Sequence, residues 1–329
     1  MLPTIAPYPS SWFTEFSPED SLGVAAASVL SGRLVAVLRH HPLAVSRAGE
    51  SVEHVHHLRV AARRSSAALA AFGKVLPKKL RDQADDLLRS IRKSAGLARD
   101  WDVFLFGIGS KQSGSRPAGD KTATSSPKGS ELLEGLALAK RVAAQRELAD
   151  SCPNFGKLFP KLMEKIAESV SQSTSAKSTV SSLAESVLNE AFCDFCEEIS
   201  LKEKNFQGSQ NPKSGPEHLH KVRILGKRVR YLMEIFWHCL PKGVRHELYP
   251  LVEEAQELLG QINDHYRALA MLRELSDEVK MVSTTCLDRL TPLLKTLSQR
   301  HEKQITEKLQ AYQQWCIQWE KVEGKWDKD

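Results

Sequence analysis

His56, Arg59 and Arg63 stand at i, i+3 and i+7, with Arg64 beside them, and His220, Arg223, Lys227 and Arg230 repeat the stripe with Arg228 beside them. Positions three, four and seven apart share one face of an α-helix, so each set predicts a helix carrying a cationic row. The apolar residues fall on the other side: Leu58, Ala62, Leu69 and Phe72 in one segment, Val222, Val229, Met233 and Phe236 in the other. A solvated surface face would mix signs, because like charges at these spacings cost about 0.2–0.5 kcal/mol per pair. Here acids are missing from both rows. An absent anion explains such a cluster better, since charge-assisted hydrogen bonds contribute roughly 1.5–3 kcal/mol each. Imidazoles in register with the arginines, His56 and His220, would add charge beside a polyanion as they protonate. For His54 and His218 a neutral core role and a ligand role both stand.

The two stripes belong to an internal repeat. A shift of 164 residues aligns Glu53–Leu105 with Glu217–Leu269 without a gap, pairing His54 with His218, His56 with His220, Arg59 with Arg223 and Arg63 with Lys227. The same register pairs Phe72 with Phe236, Leu76-Pro77-Lys78 with Leu240-Pro241-Lys242, Gly96 with Gly260 and Asp100 with Asp264. Two related helical halves packed about a pseudo-twofold axis are expected. In the first half the next helix adds Arg81, Arg89, Arg92, Lys93 and Arg99; their counterparts include Glu253, Gln256 and Asn263 at 89, 92 and 99. A channel between the halves would therefore be lopsided in charge. Glu53 to Leu105 holds 11 Lys plus Arg against 6 Asp plus Glu, so the basic residues are concentrated there although the whole chain is only +6.

The elements that must position these rows read as helices throughout. Ser17-Pro18-Glu19-Asp20 predicts an N-cap and a helix to about His41, stopped by Pro42. Further helices are expected at about Ser51–Leu76, Lys78–Leu97, Glu131–Ala149, Phe155–Ser171, Thr179–Ser200, Glu217–Leu240, Arg245–Ile262, Asp264–Val279 and Leu290–Trp319, with Trp101–Ile108 opening another. Ser110–Ser130 and Lys202–Pro216 are polar and predict loops, the first mobile. No run of alternating strands occurs, so the fold class is all-α. At 41% apolar and 26% charged, the 329 residues suit a globular protein rather than a disordered one. The start, Met1 to Pro9, lacks the basic and apolar regions of a secretory signal. Leu22–Leu38 reads as too short and too interrupted to span a bilayer. Of six cysteines only Cys193 and Cys196 form a CxxC, with no second pair; buried free thiols on one helix face are expected rather than a zinc site. A reducing cytoplasm fits.

His56-His57-Leu58-Arg59-Val60-Ala61-Ala62-Arg63-Arg64 followed by Gly96-Leu97-Ala98-Arg99-Asp100-Trp101-Asp102-Val103 resembles the CHAD family, the conserved histidine α-helical domain. His220 to Tyr231, then Leu258 to Asp264, resembles that family's second motif. The likeness runs from about Ser17 to Trp319. It implies one domain over 17–320, in two pseudo-twofold-related helical bundles (about 17–200, with the loop at 110–130, and about 217–320). An extension at 1–16 and a tail at 321–329 flank it. It further implies a basic central cleft or channel that binds inorganic polyphosphate, and in some bacterial members association with polyphosphate granules. Carried over position by position, the anion contacts would be His56, Arg59, Arg63, Arg64, His220, Arg223, Lys227, Arg228 and Arg230, joined by Arg92 and Arg99. Many members carry a fused triphosphatase domain with an ExExK motif; none occurs here. A stand-alone, non-enzymatic binding module without cofactor or metal is expected, cytoplasmic or at granules.

Two other readings compete. Asp100, Asp102 and Asp264 with His56 and His220 invite a metal-dependent phosphohydrolase, but there is no His-Asp dipeptide and no HExxH. Asp100 and Asp264 better suit N-capping, or orienting an arginine of the stripe. A generic binder of nucleic acid or another polyanion is the stronger rival, because any phosphate chain responds to a basic groove. Base recognition usually adds aromatics or amides, and Tyr231 is the nearest aromatic.

Overall fold

The computed structural model describes residues 16–109, 129–206 and 216–323. Most of the expected mobile loop 110–130, the start of the chain and the end of the C-terminal tail lie outside these residues. The described residues form α1 (Leu22–Ser46), α2 (Glu53–Ala71), α3 (Lys78–Gly109), α4 (Ser130–Asp150), α5 (Phe155–Gln172), α6 (Val180–Phe206), α7 (Pro216–Ile235), α8 (Tyr249–Val282) and α9 (Thr284–Glu320), with short 3-10 turns between some of them. No β-strand occurs among them, only one isolated bridge between Ser21 and Thr179. The fold is all-α.

Helices α1 to α4 each lie against the next, and α6 to α9 do the same; α2 meets α7, and α3 and α4 meet α8 and α9. The repeat carries through to local structure. Shifted by 164, α2 covers 217–235, and α7 spans Pro216–Ile235; the 3-10 turn Gly73–Val75 falls on the 3-10 turn Trp237–Cys239. All eight apolar residues expected on the core faces of the stripe helices are buried. Phe72 and Phe236, equivalent in the repeat and both fully buried, touch with ring centroids 5.6 Å apart. At Gly226 on α7, an added Cβ would stand 3.0 Å from the Phe195 ring, so the close approach of α6 to α7 needs glycine there.

Several helix ends differ from the sequence reading. The first helix is capped by Ser21, not Ser17: Ser21 is extended and its hydroxyl accepts from the Val24 amide at 3.4 Å. Ser17 instead donates its amide to Asp20 at 2.6 Å, closing a turn before the helix. Pro42 does not stop α1, which runs to Ser46. The missing proline amide removes one backbone bond, and the helix end beyond it is held by Gln145 of α4, which donates to the Ala44 and Val45 carbonyls at 2.9 and 3.0 Å. The segments split at 97–101 and 262–264 are the continuous helices α3 and α8, and α6 extends to Phe206, past the expected start of a loop at 202.

Helix α1 is, by length and composition, long and apolar enough to cross a membrane, contrary to the sequence expectation. In this fold it buries Leu22, Ala25, Ala26, Val29, Leu30, Leu34 and Val37 among the other helices, with Arg33 only 4% exposed in their midst. The cysteines also differ: Cys193 is exposed and Cys196 half-buried on α6, only Cys152 is buried, and none of the six is in a disulfide.

Three histidines make the fold acid-sensitive. Burial pushes His40 down to about 4, helped by His57 and Arg39. Burial alone takes His41, stacked on Phe155 at 3.7 Å, to about 4. Burial, then His265, takes His301 to about 4. The unfolded chain binds these protons near 6.5, so their contribution is complete above that value and is lost as pH falls from about 6.5 towards 4. Thermal unfolding followed from pH 7.5 to pH 4 is expected to show a falling Tm, and His41→Phe is expected to flatten the slope. A Tm that does not change over this range would refute it.

Candidate anion-binding site

The stripes converge. On α2 and α7, Arg59, Arg63, Arg223 and Lys227 come together where the two helices meet, flanked by α3 and α8. Burial first, and then the charge of Arg63, pulls Arg59 and Lys227 down; Arg223 is pulled down by burial, with Arg63 and Arg59 adding to it against Asp264. Lys227 reaches about 5, with Arg63, Arg223 and Arg59 all acting on it. Arg92 of α3 joins the group, lowered by burial and by Arg63 against the opposing charge of Asp85. Guanidinium groups stay protonated through such shifts, whereas Lys227, at about 5, is neutral near pH 7. Among the described residues, Arg63, Arg92, Arg223 and Lys227 have no carboxylate within ion-pair distance. The buried Nε of Arg223 makes no hydrogen bond.

Their neighbours are partly neutralised. Arg59 pairs with Asp100 at 3.8 Å, and the same carboxylate accepts from Arg267 of α8 at 3.1 Å. Desolvation raises Asp100 against these cations. Arg99 reaches Glu53 at 3.4 Å. It also holds His56 down, second to burial. His220 is exposed, its Nδ1 3.4 Å from Asn263 Oδ1. Asp100 and Asp264 lie in the interiors of α3 and α8, so the N-capping role is corrected; Asp100 instead holds an arginine of the stripe.

The other three stripe arginines turn elsewhere. Arg228 points at α6, with one nitrogen 2.7 Å from Asp194 and another 2.7 Å from Glu190. Arg64 and Arg230 converge with Arg33 on Glu234, at 3.1, 3.4 and 3.9 Å. Arg230 also approaches Glu253 at 3.8 Å. The Glu234 carboxylate is 1% exposed and has three cations around it, which offsets the cost of burying it. Tyr231 lies between the two groups, with Arg64 and Arg230 over its ring at 5.9 and 5.6 Å. Acids absent from the rows themselves are thus supplied from other helices, and from Glu234 one turn beyond Arg230.

Reasoning from the sequence missed Arg33, Glu234 and Arg267. A signal existed for the first two: each is a lone charge in an apolar run, Arg33 in Val29–Leu38 and Glu234 in Leu232–Phe236. His218 is held by Glu198 at 2.9 Å, and Lys221 pairs with the same carboxylate, so His218 serves the α6–α7 contact. Among the described residues no three His, Cys, Asp or Glu side chains are grouped to hold a metal ion.

The sequence profile of the CHAD domain matches residues 28–273, more than half of the chain and all of both stripes. The protein belongs to the CHAD family. Solved structures agree on the fold. The crystal structure of the CHAD domain from the plant Ricinus communis is 20% identical with a TM-score of 0.68, covering 95% of this chain and 96% of that one. PptA from Streptomyces chartreusis is 17% identical with a TM-score of 0.59, covering 90% of this CHAD chain and 99% of its own. No curated protein matches this sequence.

Proposed function

We propose that this CHAD protein binds inorganic polyphosphate, without catalysing its turnover, in a basic cleft between two pseudo-twofold-related halves. One observation carries the reading: Arg63 and Arg92 from one half and Arg223 and Lys227 from the other meet without carboxylate partners. Asp264 and Asp85 ease their mutual repulsion only from beyond ion-pair distance, so a bound anion would relieve it further, and charges supplied from several helices fit a chain of phosphates better than one small ion. The family, one of polyphosphate-binding domains, supports the same ligand. Arg99, His56, Arg59 and His220 extend the row towards one end. Arg64 and Arg230, over the Tyr231 ring, are held by Glu234 instead. Binding takes place in the cytoplasm, on free polymer or at polyphosphate granules. Tyr231 is 5% exposed beneath its arginines, so it offers no open face on which a base could stack, which disfavours nucleic acid.

Titration with polyphosphates of graded length, repeated at several salt concentrations, tests this. Affinity is expected to rise with length until the row is filled. The salt slope is expected near −3 for about four phosphates neutralised, at roughly −0.7 per contact. Polyphosphate should raise Tm at low salt by binding only the folded state, and should displace bound DNA at equal phosphate concentration. No thermal shift, or equal competition by DNA, would overturn the assignment.

A further inference from the structure

Asp100 and Asp264, equivalent in the repeat, meet the same cations in different ways. Asp100, about one quarter exposed, is tied to Arg59 at 3.8 Å and to Arg267 at 3.1 Å. Asp264 lies on the same face of α8 as Arg267, three residues before it, and is exposed. No cation stands within ion-pair distance of it among the described residues, and in the interior of α8 it caps nothing. Its charge nevertheless acts on Arg59, Arg223 and Lys227, and on Asp100. Its neighbour Asn263 faces His220 of the stripe at 3.4 Å. A carboxylate so placed eases the repulsion among the cations while no ligand is bound and repels an anion as it arrives.

We propose that Asp264 is a built-in counter-anion that restrains the affinity of the cleft, and that Asp100 is a positioning residue that holds Arg59 for the ligand. This rests on the polyphosphate-binding reading above. A fold requirement at Asp264 predicts only lost stability on substitution. A counter-anion predicts lost stability together with tighter binding. The repeat thus carries one acid that supports binding and one that opposes it.

Calorimetric titration of the full chain with tripolyphosphate and with long-chain polyphosphate, at low and raised salt, separates these roles. Asp264→Asn is expected to lower the Tm of the free protein and to tighten binding about three- to tenfold, a gain that salt screens. Asp264→Glu, which keeps the charge, should bind like wild type, and Asp100→Asn should bind more weakly. A folded Asp264→Asn that binds no tighter overturns the counter-anion. An unchanged or tighter Asp100→Asn overturns the positioning role. Should Asp264→Asn not fold, Asp264→Ser takes its place, and failure of both to fold also overturns the proposal by making Asp264 a structural residue. Wild type that binds neither polymer overturns the functional reading instead.

Discussion

Arg63→Glu combined with Arg223→Glu is expected to weaken polyphosphate binding at least about a thousandfold while leaving the helical circular-dichroism signal intact. Each arginine contributes a charge-assisted contact of about 2 kcal/mol. Losing both costs about 4 kcal/mol, and 1.4 kcal/mol is tenfold in affinity. Reversal adds repulsion to that loss. Arg63 and Arg223 are the informative pair because they come from the two different stripes and neither has a carboxylate partner. Arg59, by contrast, is already held by Asp100, so reversing it would disturb an ion pair and confuse the two effects. Removing two mutually repelling cations should also raise the Tm of the free protein, opposite to the effect of deleting a structural salt bridge. Retained binding, or loss of helical signal, would remove the cleft as the binding site.

If polyphosphate binds as proposed, Lys227 is expected to make that binding depend on protons. In the free protein its ammonium is pushed down to about 5, by burial and then by Arg63, Arg223 and Arg59, so near pH 7 the amine is neutral. A phosphate chain beside it favours the charged form and raises that value. Between about 5 and the raised value, the complex holds more protons than the free protein, so affinity climbs as pH falls, by up to tenfold per unit. The lysine's share of the slope is the part lost when the amine is removed. Lys227→Met should abolish that share and weaken binding at pH 7. It should also raise the Tm of the free protein, since the unfolded chain keeps its proton to near 10.4 and the folded one does not. Wild-type stability is accordingly expected to rise with pH between about 5 and 10. Proton uptake is measurable by titrating in buffers of different ionisation enthalpy; none at pH 8 would sink the coupling.

Much of the architecture was legible from residue types and spacing. A 3.6-residue period marks each stripe helix, and burial of Leu58, Phe72, Val222 and Phe236 follows from placing apolar side chains opposite the charges. Helix ends were less legible. The sequence suggested a stop at Pro42 and a break before Asp264, but packing overrode both, since a lost backbone bond or a weak local propensity is outweighed by burial along a long helix. The same holds at Ser17, whose capping signature yields to a turn closed by Asp20.

By itself the sequence determined an all-α chain, its internal repeat, and the two helix faces on which the cations lie, because periodicity along one helix is a property of that helix alone. Tertiary structure decided which of those cations remain available. Arg64, Arg228 and Arg230 share the sequence signature of Arg63, Arg223 and Lys227, yet they are answered by Glu234, Glu190, Asp194 and Glu253. Those carboxylates come from α6 and α8 or from a buried turn of α7, and no spacing rule within α2 or α7 announces what a neighbouring helix will present. A charge's partner is fixed by distance in space, since the attraction weakens as charges separate, and only the packed helices set that distance.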